Sequence, residues 1–231
     1  MNKWIVSAIL FSVAGISVPA LSNQPVNTNK TPTRQSFSWA KFSEIIFSKK
    51  PPIKPRTGGS RPTQVSCMIS PEKSDVTTIV WSERPLFIWQ GSVQKIAVRP
   101  EGSEQDLWSQ PVTGRQSINY TGKALQPGQT YEWIVNSSMF VPFQVMEAQQ
   151  RDRITSELKT LENQLKAKGV DTEAIALAKA NYFAENQLWS DALQQAYSVQ
   201  KPSPELDRIR KDIPNQLCNA RPLVRNNSTS P

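Results

Sequence analysis

The chain has 231 residues, of which 38% are apolar and 20% charged, with 18 Pro, 9 Gly, two Cys and no His. That length allows one or two domains with a real core, and the missing imidazole excludes Ser-His-Asp and Cys-His catalysis, His-ligated metals and a histidine general base. The formal charge of +8 sits in a leader: residues 23–62 carry eight Lys/Arg against Glu44 alone, whereas residues 63–218 carry 16 basic and 18 acidic residues, so the near-neutral body is a poor candidate for binding nucleic acid.

Met1-Asn2-Lys3 is a basic start and Trp4–Val18 an apolar run. Val18-Pro19-Ala20 and Ala20-Leu21-Ser22 place small residues where a signal peptidase cuts. Residues 1–22 therefore read as a secretory signal peptide, because the apolar run Trp4–Val18 is too short for the roughly 20-residue span of a membrane helix. No Cys lies nearby to carry a lipid, and no later apolar run is long enough to span a membrane. The expected address is the periplasm or the exterior.

Residues 23–62 read as a basic, Pro-rich disordered linker, with Pro51-Pro52, Pro55 and Gly58-Gly59. Within it, Trp39, Phe42 and Ile46 recur at helical spacing. They predict a short amphipathic helix that docks on a membrane surface or on the body, unless so short a helix fails to form.

Residues 63–146 predict a β-sandwich domain. Strands are expected at 64–69, 76–81, 86–90, 94–99, 106–110, 116–120, 130–136 and 139–145, rich in Val, Ile, Trp and Tyr and spaced by turn residues. Tyr131, Trp133 and Val135 alternate with Glu132, Ile134 and Asn136, the pattern of a half-buried strand. Leu125, Pro127, Gly128 and Tyr131 form a turn followed by a strand opening on Tyr. This looks like the tyrosine corner of immunoglobulin-like and fibronectin-type sandwiches, in which the hydroxyl bonds back to the backbone upstream. Of the tryptophans Trp81, Trp89, Trp108 and Trp133, period 2 sends most to the interior. Trp108, after the polar run 102–106, is the candidate for an exposed sugar-stacking ring.

Residues 147–218 predict an α-helical domain. Ile154, Leu158, Leu161 and Leu165 make a heptad-like seam. Gly169 reads as a C-cap and Asp171 or Thr172 as an N-cap. Further helices are expected at 173–185, at 188–200, and from Pro204 to just before Pro214. Ala180, Phe183, Ala192, Ala196, Val199 and Pro204 match one tetratricopeptide unit. A lone unit cannot bury its own face and must lean on its neighbours. Residues 219–231 read as a disordered tail. The expected fold is α+β: an immunoglobulin/fibronectin-type-like antiparallel sandwich followed by a small tetratricopeptide-like helical domain.

Cys67 and Cys218 flank the folded region. In an oxidising compartment they are expected to pair, closing a loop worth about 5 kcal/mol on the chain-entropy model; the alternative is two unpaired buried thiols. Lys50-Pro51-Pro52, Thr57-Gly58-Gly59-Ser60-Arg61, the Cys that follows, the strands around Leu125–Trp133 and the Leu-Trp-x-Asp-Ala step at 188–192 resemble the cyanobacterial domain-of-unknown-function family 928. The resemblance implies an exported protein with an all-β body and an α tail. That family has no established activity, so no catalytic residue is implied.

Glu101, Glu104 and Asp106 share one loop. They fit a solvated turn better than a glycosidase pair or a hard-cation site. No phosphate loop, nucleophile elbow or paired CxxC motif occurs. The expected function is a non-catalytic, cofactor-free interaction or scaffold protein of the cell envelope. It would meet a protein partner through an apolar patch at Tyr182, Trp189 and Tyr197, and an anionic envelope polymer through the leader. The competing reading is a carbohydrate- or peptidoglycan-binding sandwich using Trp108.

Overall fold

The computed structural model describes residues 38–49, 66–72 and 77–219. The signal peptide read at 1–22, most of the linker and the tail after Asn219 lie outside the described residues. The chain order is α1 (Trp39–Lys49), β1 (Cys67–Ser70), β2 (Thr78–Val80), β3 (Leu86–Gln90), β4 (Lys95–Pro100), β5 (Trp108–Pro111), β6 (Ser117–Asn119), β7 (Thr130–Val135), β8 (Met139–Val145), α2 (Ala148–Ala167), α3 (Thr172–Glu185), α4 (Trp189–Ser198) and α5 (Pro204–Asn219). The change from period 2 to period 3.6 near residue 147 is where strands give way to helices.

Two sheets form. One is antiparallel, in the order β1-β3-β6; the other is β2-β8-β7-β4-β5. The second is mixed, which corrects the expectation of a purely antiparallel sandwich. β2 runs parallel to β8, pairing Thr78–Val80 with Phe143–Val145. No hairpin joins these strands, so no tight turn forces them antiparallel; β2 instead leads directly into β3 of the other sheet.

β3 explains how the layers stack. Its first four residues are all buried, and successive side chains point to opposite faces. Phe87 and Trp89 join a core with Val98, Trp133 and Phe143 of the larger sheet. Leu86 and Ile88 join a second core with residues of every helix. The small sheet is thus a shared wall between the large sheet and the helices. The Phe87 ring lies 5.0 Å from that of Trp133 and 6.1 Å from those of Trp108 and Phe143. Such contacts add about 0.5–1.5 kcal/mol each beyond burial.

The helical caps follow the sequence. Asp171 accepts the Ala174 N–H at 2.9 Å. Gly169, at φ +69°, ends α2 with Val170 N donating to the Leu165 carbonyl. Of the α2 seam, Ile154 and Leu158 are buried, and Leu161 and Leu165 only half so.

Trp39–Lys49 forms the short helix that its apolar spacing predicts and packs on the body, so this part of the stretch read as a disordered linker is ordered. Phe42 and Ile46 are wholly buried, the Trp39 indole N–H donates to Glu173 of α3 at 2.9 Å, and Ala40 N donates to Glu205 of α5 at 3.1 Å. In addition, α5 does not stop before Pro214 but runs through it. A proline at 214 leaves the Arg210 carbonyl without its helical donor. The Tyr197 hydroxyl of α4 supplies the missing proton at 2.9 Å. Finally, Cys67 and Cys218 are bridged, with Cα atoms 6.1 Å apart, tying the first residue of β1 to the last turn of α5.

Candidate functional site

The turn at 125–131 builds one end of the large sheet. Tyr131 opens β7, and its hydroxyl accepts the Gln126 N–H at 2.9 Å, the backward bond expected from the sequence. Gly128 sits at φ +77°, a region L side chains rarely adopt. A Cβ there would also come within 2.7 Å of the Glu147 carboxylate. Gly128 N and Val145 N, paired with Val145 O and Gln129 O, fix the turn to β8.

Beside this turn lies a cleft of about 550 Å³, within the range of small-ligand sites, about 300–1,000 Å³. Pro100, Leu107, Leu125 and Pro127 line it. Leu107 is 53% exposed. Lys123, Gln126 and Gln129 supply the polar groups, and Tyr120 and Tyr131, both buried, line the floor. Among the described residues the Tyr120 hydroxyl has no hydrogen-bond partner. Burial, then the neighbouring Tyr131, pushes its pKa up, against the pull of Arg84. A Cβ at residue 122 would fall 2.5 Å from that hydroxyl, so Gly122 is what lets the ring sit there.

Trp108 does not offer a face to a sugar. It is 9% exposed and stacked on Phe87, and its indole N–H donates to Thr121 at 3.0 Å. Its register partner is Val98, a core residue of β4. The strand phase therefore turns Trp108 inward and leaves Leu107 outside.

The helical residues Tyr182, Trp189 and Tyr197 are all half-buried against the helical core. The Tyr182 hydroxyl is hydrogen-bonded to Glu157 of α2. Tyr197 is committed to α5, and the Arg210 guanidinium lies 5.6 Å over its ring. Burial pushes both phenols up to about 12. In the acidic loop, Asp106 pairs with Arg99 at 3.1 Å, while Glu101 and Glu104 are exposed. Among the described residues no cluster of three acidic or sulfur ligands could hold a metal, and no helix is long and apolar enough to cross a membrane.

The strongest electrostatic feature lies elsewhere. Asp191, 1% exposed at the start of α4, accepts Trp81 N at 2.8 Å and Ser82 N at 2.9 Å. Arg151 of α2 donates to the Trp81 carbonyl, pairs with Glu83 at 2.9 Å and covers the Trp81 ring. Burial pushes the Asp191 carboxyl up to about 7, against the backbone N–H groups of Trp81, Ser82 and Asp191 and against Arg151. Both oxygens are engaged by backbone, so this carboxyl holds the β2–β3 connection to the helices.

No protein-family model and no curated protein matches the sequence. The site therefore has to be read from its chemistry. Sequence reasoning named Leu125, Pro127, Gly128 and Tyr131 as a structural corner but missed that they wall a cleft with Leu107, Tyr120 and Lys123. One signal was present: Leu107 is an apolar residue out of phase with the strand it precedes.

Proposed function

We propose that the chain is an exported, non-catalytic interaction module of the cell envelope that holds a protein partner in the cleft at the tyrosine turn. The observation that carries this reading is a cleft of about 550 Å³ whose rim keeps Leu107 half in water. Beside a concave site of this size with an aliphatic lining, such a side chain adds apolar contact area for an occupant. A role without catalysis is supported by the absence of His from the whole sequence and by the use of Asp191, the carboxyl most raised by burial, as a structural tie. The disulfide and the apolar N-terminus support export.

The Tyr131 bond supports a sandwich of immunoglobulin/fibronectin type. The complete burial of Ala180, Phe183, Ala192 and Ala196 between α3 and α4 supports a tetratricopeptide-like hairpin, with α1, α2 and α5 as the neighbours it requires. Membership of family 928 fits the same picture. The basic leader, in this reading, adds a salt-sensitive contact with anionic envelope polymer.

The test replaces Leu107 with the photo-crosslinker benzoylphenylalanine in cells of the source organism. Thr113, on an exposed turn, serves as the control position. A discrete adduct at 107 that is absent at 113 is the expected result. Absence of an adduct at 107, or the same adducts at both positions, overturns the reading.

A further inference from the structure

The charge pattern of the cleft specifies more than a partner of unknown kind. No acidic side chain lines it, and Lys123 is its one charged lining residue. Among the described residues, Lys123 makes no ion pair. Two amide side chains, Gln126 and Gln129, also line the cleft and are exposed. The Tyr131 hydroxyl accepts from Gln126 N and so keeps its own proton to donate. The remaining lining is aliphatic: Pro100, Leu107, Ala124, Leu125 and Pro127. A single cation with amide and phenol donors suits one carboxylate. It does not suit a phosphate, which recruits several cations or an arginine fork. A sugar would want an exposed aromatic face, and Tyr120 and Tyr131 are only 2% and 4% exposed.

Outside the lining, the loop between Pro100 and Leu107 carries the other sign. Glu101 and Glu104 are exposed in the loop that joins Pro100 to Leu107. An occupant with its carboxylate at Lys123 would therefore place any positive group toward that loop.

We infer that the cleft takes the C-terminal end of a polypeptide: a free main-chain carboxylate at Lys123, small aliphatic residues against the aliphatic lining that Leu107 heads, and a basic residue toward the loop of Glu101 and Glu104. This deepens the interaction-module reading and rests on it. Capture of a C-terminal carboxylate is a recurrent way of reading a chain end. Here the recognition is by side chains rather than by a backbone nest.

The probe is acetyl-Lys-Ala-Ala with a free carboxylate, titrated into the 15N-labelled protein while the amide signals of residues 123–129 are followed. The expected result is saturable shifts confined to that turn and the rest of the cleft lining, weakened about tenfold or more when the carboxylate is replaced by a carboxamide. Lys123→Glu should give the same loss with the rest of the spectrum unchanged, because Lys123 is exposed and supports no described contact. The all-D peptide should bind at least about tenfold more weakly, since a protein tail is built of L-residues. Equal binding of acid and amide, tighter binding of the D-form, or no shift at residues 123–129 up to about 10 mM overturns the inference. An adduct at position 107 together with such a failure removes the chain-end inference and leaves the interaction module standing. Failure of both removes both.

Discussion

Tyr197 and Pro214 form a compensating pair. The proline removes a helical donor, and a phenol from the neighbouring helix replaces it. Tyr197→Phe is expected to cost about 1–2 kcal/mol, because it leaves the Arg210 carbonyl buried and without a donor. In a Pro214→Ala background the new N–H can make the helical bond itself, and the same Tyr197→Phe change should cost close to nothing. Urea denaturation of the four proteins decides this: equal losses in both backgrounds refute the compensation. Asp191 allows a pH prediction. Its folded-state pKa, about 7, lies above the ordinary 3.8, so folding takes up a proton between about pH 4 and 7. The group's contribution to stability is present below that window and lost as pH rises through it. The stability of the wild-type protein relative to Asp191→Asn should therefore fall from pH 4 to pH 7. A difference independent of pH would show that the backbone donors, not burial, control this carboxyl. Neither pair was legible in the sequence. Tyr197 and Pro214 lie on different helices, and Asp191 meets a loop from the other half of the chain. The Tyr131 bond was legible because its donor is five residues away and the turn chemistry is local.

Among the elements, α1 departs furthest from a reading by composition. Its spacing announced an apolar face, but its basic, proline-rich surroundings left open whether that face meets a membrane surface or the body. Eleven residues make a marginal helix in isolation, so the packing of Trp39, Phe42 and Ile46 maintains it. Phe42→Ala should destabilise the protein by about 3–5 kcal/mol, as for other buried aromatics. Trimming the chain at residue 63, where composition changes, should lower Tm and increase dye binding by the uncovered helical layer. An unchanged melt after trimming would mean that α1 is ornamental. Strand positions were easier to read, because alternation is written into each segment. The direction of β2 and the inward phase of Trp108 were not, since both depend on register with strands distant in sequence.

For the molecule as a whole, β1 and β3 of the three-stranded sheet, buried on both faces, couple the large sheet to the helices, and the Cys67–Cys218 bridge closes that arrangement. Replacing both cysteines with serine should cost about 2–5 kcal/mol, measured by denaturation against the oxidised parent; no loss would mean that the layers hold each other without the bridge. The bridge also determines what the body can feel of its own ends. Tension applied at the two termini passes from Cys67 across the sulfurs to Cys218 and bypasses the 151-residue interval between them. Every strand, α2, α3 and α4 lie inside that bypass. Pulled in an oxidising medium, the chain can yield α1 and little else. Once the bridge is reduced, the same pull can draw out about 500 Å of additional contour.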